Sequence, residues 1–260
     1  MARAEAGPGA LAERWRVSRL SLQILRQMLV QQGPRRTLGF AWVAARQALG
    51  GAGLPHTPEV NAALWTHYDW SRGGEEWSGG PDWTASVVEH VLVPHVPMGS
   101  RVLEIGPGAG RWSQYLVPRA SRLLLVDVTR RCIELCQERF RECAHVEYAV
   151  NDGSDLGCIA PASIDRIWSW DVFIHVGLEE IQRYLAEFGR VLVPGGQALI
   201  QHAEAPYARG WRTAVPAERM AALGREAGLD LVRQFNTWDD GCRRTPTPAD
   251  LITIFARPAA

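Results

Sequence analysis

Hydrophobic and polar positions follow two regimes along this chain. From Arg101 onward, short apolar runs alternate with amphipathic stretches, the pattern of a parallel sheet with crossover helices. The runs predict strands over about 101–105, 122–127, 145–149, 165–169, 196–202, 229–235 and 250–257. Helices are expected between them, at about 110–117, 129–140, 178–191 and 215–227. Seven strands with intervening helices make an α/β fold, a doubly wound and mostly parallel sheet. Ligands of such sheets sit at the carboxyl ends of the strands. The stretch "LVPGG" (Leu192 to Gly196) reads as a turn ending a helix and entering the fifth strand.

Before Arg101 the pattern is different. Residues 1–60 read as one or two helices, broken by "QQGPRR" and closed by the Gly/Pro-rich "LGGAGLPHTP". Residues 61–100 are dense in Trp and Gly and show no clear period. The expected organisation is therefore a helical extension (1–60), a Trp-rich cap (61–100) and a ligand-binding domain (101–260). From Trp15 to Gln31, Val17, Leu20, Ile24 and Met28 share one helical face, with Arg16, Arg19 and Arg26 elsewhere. Such a basic amphipathic helix packs on its own domain or on a partner subunit, or lies on a membrane surface. A homodimer through these helices is one expectation.

Composition narrows the chemistry. The apolar fraction of 47% and the formal net charge of zero are those of an ordinary soluble globular protein, without the basic excess of a nucleic-acid binder. The first 60 residues carry eight Arg against three Glu, which keeps an RNA acceptor open. All 28 basic residues are arginine, so Schiff-base chemistry and a Walker A loop are excluded. Five cysteines without a C-x-x-C pair fit a reducing cytoplasm, and no apolar run is long enough for a membrane span. Cys132 and Cys136, one helical turn apart, are read as buried small hydrophobes.

The sharpest feature is "RVLEIGPGAG" (Arg101 to Gly110), a strand running into glycines at alternate positions. Bare backbone there permits a sharp turn and close approach of a ligand. Arg111 stands where a dinucleotide loop needs its third glycine, so that fingerprint fails. Glu104 at the edge would repel a pyrophosphate and favour a cation. A ligand with a positive charge and a ribose fits better, namely S-adenosylmethionine.

At this point the sequence resembles the class I S-adenosylmethionine-dependent methyltransferases, whose fold is a Rossmann-like sheet. The matching pieces, in the family's order, are "VLEIGPGAGRWS" (102–113), "LLLVDV" ending near Asp127, "NDGSDL" (151–156), "IDRIWSWDVFIHV" (164–176) and "RVLVPGGQALI" (190–200). The resemblance implies cofactor contacts from Glu104, Gly106, Gly108, Gly110, Asp127, Val128, Asp152, Gly153, Trp170 and Trp77. Asp127 would accept from both ribose hydroxyls. Asp152 would accept from the adenine amino group, and Glu104 with Gly106 would face the methionine end.

The same resemblance places Asp171 and His175 at the acceptor. Four residues apart on a turn, they share a face, and imidazole as a class titrates near neutrality. His175 is the expected general base and Asp171 its neighbour or substrate anchor; a structural histidine is the alternative. His202 and Glu204 are expected beside the same cleft as substrate contacts. Asp171, His202 and Glu204 could instead hold a magnesium ion, although histidine suits that ion poorly. Asp239 and Asp240 read as a solvated turn, or as groups reaching the acceptor. Tyr68, Trp70, Trp77 and Trp83 resemble the lid of bacterial small-molecule methyltransferases. The alternative is that they plug the domain's flank.

The wording "YDWS…GEEWS" most resembles bacterial enzymes that methylate sugar hydroxyls. The resemblance thus implies a cytoplasmic O-methyltransferase with a sugar-containing small-molecule acceptor. Methylation of carbon, nitrogen or a carboxylate, an RNA methyltransferase and a non-catalytic cofactor binder are the alternatives.

Overall fold

The computed structural model describes residues 56–205, 212–238, 243–245 and 249–259. The basic segment Trp15–Gln31, the dimer contact assigned to it, Asp239, Asp240 and Cys242 lie outside those residues.

The strands of the main sheet are β1 (Ser100–Ile105), β2 (Ala120–Asp127), β3 (Val146–Val150), β4 (Ile164–Ser169), β5 (Leu192–Ala203), β6 (Asp230–Phe235) and β7 (Asp250–Ala256). They form one sheet in the order β3-β2-β1-β4-β5-β7-β6. The first five run parallel, while β7 is antiparallel to both β5 and β6. Among the described residues the helices are α1 (Pro58–His67), α2 (Pro81–Val87), α3 (Ser113–Leu116), α4 (Arg130–Arg139), α5 (Leu178–Val191) and α6 (Ala217–Glu226). α2 runs on through a π-helical turn at Val88–Leu92 and a last turn at Val93–His95.

Alternation along each strand divides the core into two layers. Leu103, Ile105, Ile167 and Ile200 join Ile181, Leu185 and Phe188 of α5 and Met220 and Leu223 of α6. Val102, Leu123, Leu125, Trp168 and Leu199 face the other way, onto Val87, Val91 and Leu92 of the α2 region and Cys136 of α4. α5 shows why its sequence is helical. Its buried Ile181, Tyr184, Leu185, Phe188 and Val191 form one stripe, Glu179 and Glu180 lie in the first turn and Arg190 in the last. α4 starts on Thr129, whose hydroxyl accepts from the Cys132 N–H at 3.1 Å.

Three local expectations are corrected. The helix expected over 110–117 shrinks to the single turn of α3, because Gly106, Gly108 and Gly110 adopt left-handed backbone first. β5 begins at Leu192, inside the expected turn. Leu192 pairs with Ile164 there, and the register then shifts past Gly195, whose φ is +77°. The Trp-rich segment contains the α2 helix that its composition hid.

The layer of α5 and α6 closes at one tight point. Gly224 of α6 lies against the Phe255 ring of β7 with no room for a side chain. Gly224→Ala should cost roughly 1–3 kcal/mol through overpacking. Urea denaturation should show a smaller loss for the same change made in a Phe255→Leu background, because the two residues share the contact.

Candidate active site

The cleft opens where parallel β1, β2 and β4 end side by side. Its interior holds about 880 Å³ outside the atoms, the open mouth included. Gly106 has φ +68° and Gly108 has φ +57°, both in the region that side chains disfavour. The Gly106 N–H donates to the Val126 carbonyl at 2.8 Å, which fixes the bend against β2. A Cβ on Gly106 would strike Val172, and one on Gly108 would lie 2.7 Å from the Trp70 ring. Gly110 is different. Its open side faces Phe140, just past α4, at 2.7 Å for a built Cβ, so it serves packing and does not form the cleft wall.

Two buried carboxylates flank the bend. Glu104 is 2% exposed and accepts from the Ser113 hydroxyl at 2.6 Å. Burial raises its pKa to about 8, with the Ser113 hydrogen bond and Arg111 pulling the other way. Asp127, at the end of β2, accepts from the Thr129 N–H at 2.8 Å and its hydroxyl at 3.0 Å, both at Oδ1. Burial raises Asp127 to about 6. Asp127, Val128 and Gly153 line the cleft, whereas Glu104 does not. Nor does Asp152. It is exposed, and its Oδ1 accepts from the N–H groups of Ser154 and Asp155, both at 2.8 Å. Burial would raise that carboxyl, but those bonds prevail and hold it low.

The turn after β4 carries Asp171 and His175, and both reach the cleft wall. Asp171 has φ +60°, an uncommon conformation for a residue with a side chain. Its N–H donates to Gln201 Oε1 at 2.7 Å. Gln201 is fully buried and donates to Asp250 Oδ2 at 2.8 Å, while Asp250 Oδ1 accepts from Arg212. The Asp171 carboxylate in turn accepts from Arg111. The His175 ring meets the edge of Trp65 with centroids 5.2 Å apart. The His175 carbonyl accepts from Asn61 Nδ2 at 2.7 Å. The His56 ring also bonds to the His175 backbone, and burial lowers its pKa.

The aromatic segment divides between the two expected roles. Trp65, Trp70 and Trp77 line the cleft. Tyr68 packs on all three, at centroid distances of 5.6, 5.1 and 5.0 Å, and its hydroxyl donates to Glu76 at 2.6 Å. It thus buttresses the tryptophans from behind. Trp83 belongs to the flank core, 6.3 Å from Trp112, 6.1 Å from Trp170 and 6.1 Å from Trp238. Trp170 belongs to both, lining the cleft and stacking on Trp168 at 5.5 Å.

The magnesium option is corrected. His202 is fully buried between strands and shares a 2.8 Å hydrogen bond with the Thr253 hydroxyl. Glu204 is half-buried beyond the end of β5, with its N–H donating to the Ala249 carbonyl. Neither lines the cleft. Asp171 is already committed to Arg111, and no group of three His, Cys, Asp or Glu among the described residues could hold a metal ion.

Sequence reasoning passes over several cleft residues. Asn61 and Trp65 sit on α1, whose first turn reads as linker; Thr57 followed by Pro58 is the readable start signal. Arg111 counts only as the break in a glycine fingerprint. Glu180 and Tyr184 of α5 carry no motif at all.

The buried carboxylates give folding a pH signature. Folded Glu104 and Asp127 bind protons up to about 8 and 6, against ordinary values of 4.5 and 3.8. Between those limits the folded chain holds more protons than the unfolded one, so their contribution to stability is lost as pH rises. Glu104→Gln should flatten the fall in urea-denaturation stability between pH 5 and pH 8, measured without ligand.

The site's fit to a sulfonium nucleoside rests on the bare bend, the buried acids beside it and the aromatic wall. Residues 102–196 match the family model described as a methyltransferase domain. Nodulation protein S of Rhizobium tropici is 25% identical over 135 residues, 52% of this chain and 56% of that protein. The chain thus spans little more than half the length of this curated relative. The solved N-methyltransferase NodS of Bradyrhizobium japonicum, in complex with S-adenosylhomocysteine, superposes with a TM-score of 0.58 at 22% identity, covering 70% of this chain and 91% of that one. A TehB-like SAM-dependent methyltransferase from Corynebacterium glutamicum gives 0.58 at 22% identity, covering 76% and 100%. Residues 102–196 thus match a methyltransferase domain, and the sheet is shared with solved S-adenosylmethionine-dependent methyltransferases.

Proposed function

We propose that the chain is an S-adenosylmethionine-dependent methyltransferase acting on a hydroxyl of a sugar or sugar-containing small molecule, with His175 taking the acceptor's proton. One observation carries the reading: His175 stands in the cleft wall between the Trp65 edge and the Val172 turn that abuts the glycine bend. Bound S-adenosylmethionine supplies a methyl group already activated by its sulfonium. What the protein must add is alignment, exclusion of water and a place for the proton.

Each neighbour has a part in that. Asp127 serves the ribose hydroxyls, with Oδ1 braced by Thr129. Glu104 and Gly106 serve the charged methionine end, and Gly153 the adenine end. Trp65, Trp70 and Trp77 offer flat apolar faces to a sugar ring and to a cation. Asp171, held by Arg111, presents its other oxygen to an acceptor hydroxyl. Asn61 grips the His175 carbonyl and so fixes where the imidazole stands.

A second reading is transfer to nitrogen. It is favoured by the solved relative named as an N-methyltransferase and by the half-buried Glu180 carboxylate in the cleft wall, which would attract an ammonium. Labelled-methyl transfer into matched hydroxyl and amine glycosides separates the two. His175→Ala is expected to lower kcat on the hydroxyl acceptor by about 10²–10⁴-fold, the usual worth of a general base. Calorimetry should show its S-adenosylhomocysteine affinity nearly unchanged. Label entering only amines would replace the oxygen reading. Full activity in the variant would remove His175 as the base.

A further inference from the structure

Arg111 is a buried cation that the methyl-transfer reading leaves without a role of its own. Its side chain is 5% exposed and its guanidinium lies 4.9 Å from the centre of the Trp112 ring. One terminal nitrogen donates to the Gly74 carbonyl at 3.0 Å and the other to the Asp171 carboxylate. It therefore joins the glycine bend, the turn after β4 and the aromatic cap.

We propose that Arg111 is a positioning residue that latches the cap over the cleft through Gly74, with Asp171 as its fixed anchor. The proposal rests on the cleft being the S-adenosylmethionine site. Trp70 of the cap sits over Gly108, and Pro58 at the start of α1 lies over Gly153, 2.8 Å from where its Cβ would be.

The two ends of the latch differ in stiffness. Asp171 is held through its own N–H by Gln201, which is braced by Asp250 and Arg212. Gly74 lies between two 3₁₀ turns, Trp70–Arg72 and Glu75–Trp77, and both Gly73 and Gly74 are left-handed. The bonds Tyr68–Glu76, Trp70–Trp65 and Ser71–Asp69 stay inside the cap and travel with it. On opening, Arg111 gives up one neutral carbonyl and keeps its carboxylate. No unpaired charge is left buried, so the Arg111 end of the latch gives up one charge-assisted hydrogen bond.

The test uses the full chain and two probes, S-adenosylhomocysteine and 5′-methylthioadenosine, which lacks the amino-acid part. In Arg111→Lys, amide exchange over residues 70–78 should quicken roughly tenfold or more. Stopped-flow release of both probes should accelerate by similar factors. Asp171→Asn should shift exchange in the same direction, and it decides the matter if Arg111→Lys does not fold. Faster release of S-adenosylhomocysteine alone, with cap exchange unchanged, would make Arg111 a cofactor-carboxylate ligand and overturn the latch. Unchanged exchange and release would overturn it too. If the wild-type protein takes up neither probe, the cofactor-site reading fails, while amide exchange still decides the latch.

Discussion

Parallel pairing of β1 with β2 on one side and β4 on the other is the constraint on which the site depends. Glu104 stands opposite Leu125 and Trp168 in that register. The chain therefore leaves all three strands at the same edge, and the segments beyond them converge there. The bend after β1 supplies bare backbone, the end of β2 supplies Asp127, and the turn after β4 supplies Asp171 and His175. No helix dictates the position of these groups. The sheet does, because strands that end level with one another put their successors within reach of a single ligand.

Burial then decides the chemistry at that edge. Glu104 and Asp127 are carboxylates removed from water, and removal from water disfavours their charged forms. A cationic ligand restores the charge that burial opposes. On the acceptor side the balance differs, since Asp171 already has Arg111 as its counter-ion. The cleft thus has the buried Asp127 carboxyl at one end and the Arg111–Asp171 pair at the other.

Much of the fold was legible because its signals are local. Runs such as "RLLLVD" leave no alternative to a buried strand, and the α5 stripe from Ile181 to Val191 repeats at helical spacing. The glycine bend and Glu104 were legible for the same reason, being contiguous in sequence, and Asp127 because it ends a plain strand. What escaped was long-range. Asn61 meets His175 across 114 residues, and Gln201 meets Asp250 across 49. Tryptophans looked alike in the sequence although Trp77 lines the cleft and Trp83 fills the flank core. His202 looked like a cleft residue because it ends a strand near the right edge. β7 runs beside it, however, and takes the imidazole for Thr253. Alternation gives a side chain's face but not what the neighbouring strand will offer it.

The brevity of α3 has a consequence for which ligands the bend can prefer. A long helix starting at such a bend sums its peptide dipoles and presents about half a positive charge to whatever lies before it, the arrangement that holds phosphates elsewhere. Ser113–Leu116 is four residues, a single turn, and its Trp112 cap has no side-chain bond. Little macrodipole can accumulate over that length. Selectivity for charge is thereby handed from the backbone to discrete acids, which a single substitution can alter, while the bend itself stays electrically quiet.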